Sequence, residues 1–428
     1  SKVMNNTIVK PVYDESWLQL GSNIDGKVGG DQLGRSVAMS SDGTRIAIGD
    51  PYNDENGNWV GHVCVYDWSG TSWVQVGSDI YGEAENDKSG WSVAMSSDGN
   101  RIAIGADGND GNGSDSGHVR VYEYKTYTQG NEDNNIYHYA SQEQGTTNNK
   151  PLIITANTST APVVNDKYWI QVGSDIDGKV GGDYSGKSIA MSNDGSIIAI
   201  GAFMNDDNGV WSGHVCVYNY TSGNGWQQVG GDIEGEASYD FSGYSVAMSS
   251  DGTRIAIGAY NNDGTETGNS GDNRGHVRVY DRDSSNTTVA PIGWTQLGND
   301  IDGEAYGDHS AWSVAMSSDG TRIAIGAIKN NGTTTGDEHD NRGHARVYDW
   351  DGSSWTQVGG DIDGEVADDQ FGHSVAMNST GTRIAIGSSR HGNYKGHVRV
   401  YDRDSSNTTV APIGWTQVSG DIDGDSRD

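Results

Sequence analysis

The sequence predicts an all-β chain, a β-propeller of four-stranded blades, and three recurring stretches predict it. A run reading close to Ser-Val-Ala-Met-Ser-Ser-Asp-Gly-Thr-Arg-Ile-Ala-Ile-Gly begins at Ser36, Ser92, Ser188, Ser245, Ser313 and Ser374. A Gly-His-Val-Arg-Val-Tyr run follows each copy, from Gly61, Gly117, Gly213, Gly275, Gly343 and Gly396. A Trp-x-Gln element then recurs at Trp17, Trp73, Trp169, Trp226, Trp294, Trp355 and Trp415. A repeat near 60 residues that holds four strand-like runs and no helical period is the pattern of propeller blades.

Each element follows from its residues. Ser-Val-Ala-Met is short and mostly small, which suits the crowded innermost strand. Asp-Gly then predicts a tight type I′ hairpin turn, because both central residues of that turn need positive φ. It stands at Asp42-Gly43, Asp98-Gly99, Asp194-Gly195, Asp251-Gly252 and Asp319-Gly320, with Thr380-Gly381 the exception. Arg-Ile-Ala-Ile-Gly, His-Val-Arg-Val-Tyr and Trp-Thr-Gln-Val-Gly alternate with period 2 and give the second, third and fourth strands.

The repeats run the length of the chain, so residues 1–428 are expected to form one propeller domain. An insertion over 125–165, inside the second complete blade, is Asn-, Gln- and Thr-rich and reads as a surface excursion. Thr7 to Asp14 followed by Trp17 to Gly21 reads as a third and fourth strand without a first and second. The expectation is therefore six complete blades plus a half blade, in a seven-bladed type of ring. A half blade invites completion by strands of a neighbouring molecule, since an open edge is an aggregation hazard.

The formal net charge is −32. That excludes a nucleic-acid backbone as partner, which needs clustered Lys and Arg, and favours cations or basic partners. No apolar run is long enough to span a membrane. Cys64 and Cys216 take the place that Arg120, Arg278, Arg346 and Arg399 hold in other copies. Lying in the first and third repeats, they are a blade apart, too far for a disulfide, and read as two half-buried thiols.

Phe241-Ser242-Gly243-Tyr244-Ser245-Val246-Ala247, with Ile255-Ala256-Ile257-Gly258-Ala259-Tyr260 and Gly275-His276-Val277-Arg278-Val279-Tyr280, resembles the FG-GAP repeat of integrin α-subunit propellers. Phe371-Gly372-His373-Ser374 and Leu33-Gly34-Arg35-Ser36 fit the same frame. The resemblance implies a seven-bladed ring whose ligand face is made by the loops between second and third strands and by the linkers between blades. Calcium-binding members of that family carry an Asp-rich loop between the first and second strands. Here a bare Ser-Asp-Gly-Thr hairpin stands there, so calcium is not carried over to it.

The linkers offer another place for a cation. Carboxylates at positions 1, 3, 5 and 9 occur as Asp232, Glu234, Glu236 and Asp240, as Asp300, Asp302, Glu304 and Asp308, and as Asp361, Asp363, Glu365 and Asp369. Ca²⁺ takes six to eight oxygens from a curled loop, so these twelve residues are candidate calcium ligands. Lys27 and Lys179 stand at position 5 of two other linkers and oppose a cation there. Solvated turns are the competing reading.

His62, His118, His214, His276, His344 and His397 recur once per blade and read as structural, each hydrogen-bonded within its own blade. The residue before each first strand instead breaks the repeat: Arg35, Trp91, Lys187, Tyr244, Trp312 and His373. These belong at the ring's mouth, and aromatic and cationic groups around a rigid opening suit a carbohydrate or protein ligand. His309, His339, His373 and His391 fall in the last two blades and offer a transition-metal or pH-sensitive site. Asn286 and Asn407, in Asn-x-Thr triplets, are the candidate glycosylation sites.

No catalytic setting is read from the sequence. The expectation is a secreted, non-enzymatic propeller serving as a structural or adhesive building block of an extracellular assembly, with other copies of itself or other extracellular proteins as partners. The alternative is a free-standing lectin-like module that binds carbohydrate or protein at the ring mouth.

Overall fold

The computed structural model describes residues 17–126, 167–264, 271–332 and 340–424. Thr7 to Asp14, His339 and the 125–165 insertion beyond Thr126 lie outside these. Six antiparallel blades follow one another around a ring, and each first strand is innermost. In blade 1 the strands are Ser36–Met39, Arg45–Asp50, His62–Trp68 and Trp73–Gln75. Blades 2 to 6 repeat the order, with first strands Ser92–Met95, Ser188–Met191, Ser245–Met248, Ser310–Met316 and Phe371–Met377. In blade 2 the fourth strand is Lys167–Gln171, across the insertion from the third strand His118–Thr126.

Two local features differ from the sequence expectation. Each blade carries a fifth strand of two residues, such as Ile80–Tyr81, which starts the linker and pairs with the third strand (His62↔Tyr81, Val63↔Ile80). Two residues are too few to show a period. The Asp-Gly turn is also not type I′. Gly43 has φ 71°, but Asp42 is not among the residues of positive φ. The Asp42 carboxylate instead accepts from the Ser40 hydroxyl at 2.7 Å and the Thr44 amide at 3.0 Å, closing a wider turn in which only glycine is left-handed.

The core lies between blades. Ala47, Val63, Val65 and Ile80 of blade 1 pack against Ile102, Ile104, Tyr122 and Trp169 of blade 2. The same surfaces meet at the next four joints. Hydrogen bonds repeat as well: Ser36, Ser92, Ser188, Ser245 and Ser313 each donate to a carbonyl of the following blade. The contact is too close for a side chain. A Cβ on Gly49 would sit 2.1 Å from the Gly90 carbonyl oxygen, and one on Gly201 2.0 Å from that of Gly243.

A further bond runs backward around the ring. The indole N–H of Trp169, Trp226, Trp294, Trp355 and Trp415 donates to the backbone carbonyl three residues beyond the tryptophan of the blade before. Trp73 reaches Leu20 in the same way, at 3.2 Å, and Trp17 reaches Val418 at 3.3 Å. Among the described residues the expected half blade is reduced to this segment, since Trp17 to Gly21 forms no strand. No serine-to-carbonyl bond joins blade 6 to blade 1 among the described residues. Val37 and Met39 on the leading flank of blade 1 are 58% and 54% exposed, and Ile422 on the trailing flank of blade 6 is 39% exposed. Its equivalents Ile80, Ile176, Ile233, Ile301 and Ile362 are all buried.

Candidate functional site

The six repeat-breaking residues lie one per blade at the entrance of the innermost strand, and the structure brings all six together. They touch in chain order. The Arg35 guanidinium lies 4.6 Å from the Trp91 ring centre, and the Lys187 ammonium lies 3.8 Å from the same ring centre. Lys187 is 5.5 Å from the Tyr244 ring; Tyr244 and Trp312 are 4.8 Å apart, and Trp312 and His373 5.9 Å. Cations over aromatic faces and edge-to-face rings are each attractive by about 0.5–2 kcal/mol, so the cluster holds itself together.

Sequence reasoning missed a second tier. Tyr260 meets Tyr244 and Trp312 edge-to-face, Phe203 lies 5.3 Å from the Lys187 ammonium, and Asp107 lies 3.8 Å from it. All three occupy the position just after the second strand, where the other blades have Pro51, Ile328 and Ser389. That position breaks the repeat as the first one does, and the same comparison would have found it. Burial lowers the Lys187 amine to about 8, against the attraction of Asp107, while burial raises the Asp107 carboxyl. Burial lowers His373, with Arg35 and Arg390 adding to the effect.

The linker carboxylates are placed differently from a single curled loop. In one linker Asp300 and Asp302 face His276 of blade 4, at 3.8 and 4.0 Å, while Glu304 pairs with Arg346 of blade 5 at 3.3 Å. Asp308 is buried and accepts from the Glu304 and Ala305 amides and the Asn330 side chain. Asp240 and Asp369 take the same capping position, and Glu236 and Glu365 pair with Arg278 and Arg399. Asp361 accepts from Gln357 and Asp232 from Gln228, while Asp363 and Glu234 face His344 and His214. Each linker thus divides its acids between two blades.

The repeated histidines are buried as expected; His62 and His214 meet the cysteine two residues on in their own blades, while three others lack the expected hydrogen bond. Both ring nitrogens of His276, His344 and His397 lack a hydrogen-bond partner. Carboxylates stand at 3.8–4.0 Å from these imidazoles, and burial holds His276 and His344 down to about 3. Of the last-blade histidines, His391 meets His397 with ring centres 4.0 Å apart, His309 lies 3.1 Å from Lys329, and His373 stays at the mouth. The side-chain amides of Asn286 and Asn407 donate to backbone carbonyls of their own loops. Cys64 and Cys216 are buried and free.

Residues 82–122, most of blade 2 with its entering linker, match the FG-GAP repeat family. No curated protein matches the chain. Among solved structures, a candidate 6-phosphogluconolactonase from Bacteroides uniformis is 11% identical with a TM-score of 0.51, over 92% of this chain and 86% of that one. A periplasmic gluconolactonase from Pseudomonas aeruginosa is 14% identical with a TM-score of 0.48, over 92% and 87%. Hydrazine synthase from Kuenenia stuttgartiensis is 15% identical with a TM-score of 0.45, over 90% and 80%. At such identities the first of these likenesses speaks for the propeller fold alone.

Proposed function

We propose, on the premise that the chain is a β-propeller of FG-GAP-type repeats, that it is a non-catalytic building block of an extracellular assembly in which copies of this chain meet flank to flank. One observation carries the reading. The serine bond made at five joints inside the ring has no counterpart between blades 6 and 1 among the described residues, and Val37, Met39 and Ile422 are exposed there, although Ile46, Ile48 and Val400 are buried. The trailing flank of blade 6 repeats the receiving surface, and the leading flank of blade 1 repeats the presented one. Two copies can therefore use on each other the apolar complementarity that the blades use among themselves. Such a contact joins unlike surfaces, so it propagates unless rotation closes it. The net charge of −32 makes assembly stronger as salt screens repulsion between copies.

Light scattering on the purified chain across a range of salt concentrations tests this. Growth to large particles that Val37→Glu with Ile422→Glu prevents is the expected result. A monomer at every salt concentration sinks the proposal.

The convergence of Arg35, Trp91, Lys187, Tyr244, Trp312 and His373 favours a second reading, a carbohydrate- or protein-binding site at the mouth. Alanine at Trp91, Tyr244 and Trp312 should abolish retention on a glycan array and leave assembly unchanged. Undiminished retention would remove the mouth from consideration.

A further inference from the structure

Blades 1 and 3 depart from the other four at two positions at once. In blades 2, 4, 5 and 6 the third residue of the third strand is arginine, and it pairs with the glutamate of the linker entering its own blade: Arg120 with Glu83 at 3.5 Å, Arg278 with Glu236 at 3.6 Å, Arg346 with Glu304 at 3.3 Å, and Arg399 with Glu365. In blades 1 and 3 the arginine is Cys64 or Cys216, and the glutamate is Lys27 or Lys179. The cation has moved to the linker, and a thiol stands beside the repeated histidine in place of a guanidinium.

That exchange assembles a donor set. His and Cys are two residues apart on one strand and so share a face. His62 Nε2 is 3.1 Å from Cys64 Sγ, and Asp79 Oδ1 is 3.1 Å from the same sulfur. In blade 3, His214 Nε2 and Asp232 Oδ1 lie 3.6 and 3.3 Å from Cys216 Sγ. Both aspartates immediately precede the two-residue strand that pairs with the third strand, and that pairing brings them back to the histidine. In each blade one nitrogen, one sulfur and one carboxylate oxygen lie within 4.8 Å of one another.

We propose that blades 1 and 3 each bind one zinc-class ion, through His62, Cys64 and Asp79 and through His214, Cys216 and Asp232. Thiolate, imidazole and carboxylate together are donors that a borderline-soft, tetrahedral ion takes and that Ca²⁺ or Mg²⁺ does not. An independent observation points into the blade 1 site. Asp50 is 1% exposed, neither of its carboxylate oxygens has a hydrogen-bond partner, and it lies 3.9 Å from His62 Nε2. The other blades have Ala106, Ala202, Ala259, Ala327 or Ser388 there. In blade 3, Glu234 Oε2 lacks a partner and lies 3.9 Å from His214 Nδ1, the ring nitrogen that does not face Cys216. Each blade thus holds a further oxygen beside the imidazole.

The charges also close. A divalent ion, one thiolate and one carboxylate sum to zero. Lys27 keeps its bond to Glu55 at 3.0 Å and to the outer oxygen of Asp79 at 2.7 Å, which leaves Asp79 Oδ1 turned to the sulfur. Such an outer hydrogen bond orients a ligating carboxylate. Binding deprotonates the thiol and releases that proton to solvent, so affinity rises with pH.

The test uses the whole chain, stripped with a chelator and titrated with Co²⁺ as the spectroscopic stand-in for zinc. Expected are about two ions per chain and a sulfur-to-cobalt charge-transfer band in the near ultraviolet, displaced by Zn²⁺. Cys64→Ser and Cys216→Ser should each halve the band. Absence of the band in the unmodified chain overturns the proposal without recourse to any variant. Binding that persists at full stoichiometry in the folded double variant overturns it too, because carboxylates alone would then hold the ion.

Discussion

Lys187 shows how one residue can be legible as an exception and illegible as chemistry. The sequence marks it as a break in the repeat; its setting over Trp91 and against Asp107 comes from the neighbouring blade. Its folded pKa, about 8, lies below the ordinary lysine value of 10.5. The unfolded chain therefore holds the proton more tightly, and Lys187 makes stability rise with pH between about 8 and 10.5. At about 1.4 kcal/mol per pKa unit the full effect is about 3 kcal/mol. Melting temperature followed across that window should climb less steeply in Lys187→Met than in the parent, and equal slopes would show that the amine is not held this way. Asp42 gives the same sign from the opposite cause, since the fold favours its charged form. The Ser40 hydroxyl, then the Thr44 amide and hydroxyl, hold it down to about 2. Its contribution is complete above pH 4 and is lost as pH falls towards 2, so Asp42→Asn should flatten the acid limb of the stability curve.

At the scale of the element, the alternation in Ile-Ala-Ile-Gly and Val-Arg-Val was legible because a strand between two blades buries both faces. The linker was not. Its acids are regular in sequence, yet Asp300 and Asp302 serve the blade behind while Glu304 and Asp308 serve the blade ahead. Spacing alone does not say on which side of a chain the partner stands. The arginine–glutamate pairing was present in the sequence as two coincident exceptions, Cys with Lys, in the same two repeats. It yields a test by exchange. Arg346→Cys should cost about 1–3 kcal/mol, chiefly by taking the guanidinium donor from the Asp302 carbonyl, and adding Glu304→Lys should restore part of that loss in thermal unfolding. The joint glycines allow another comparison. Gly201→Ala drives a methyl into the Gly243 carbonyl and should cost about 3 kcal/mol or more, whereas at Gly387 the nearest atom is the rotatable Ser374 hydroxyl oxygen, and alanine there should cost less. Equal losses at the two positions would mean that blade 6 is covered as closely as blade 3.

For the whole molecule, the tryptophan bond has a direction. Each indole N–H points to the blade before it, and each blade offers its own carbonyl to the blade after it. Every blade is therefore donor on one side and acceptor on the other, with the same serine, glycine and isoleucine contacts alongside. A joint built this way carries no information about how many others exist. Nothing local distinguishes the neighbour of blade 3 from the neighbour of blade 5, so a chain with one repeat excised or duplicated meets familiar chemistry at the new boundary. The number of blades is then a matter of wedge angle, settled only when the two ends of the arc come round to each other.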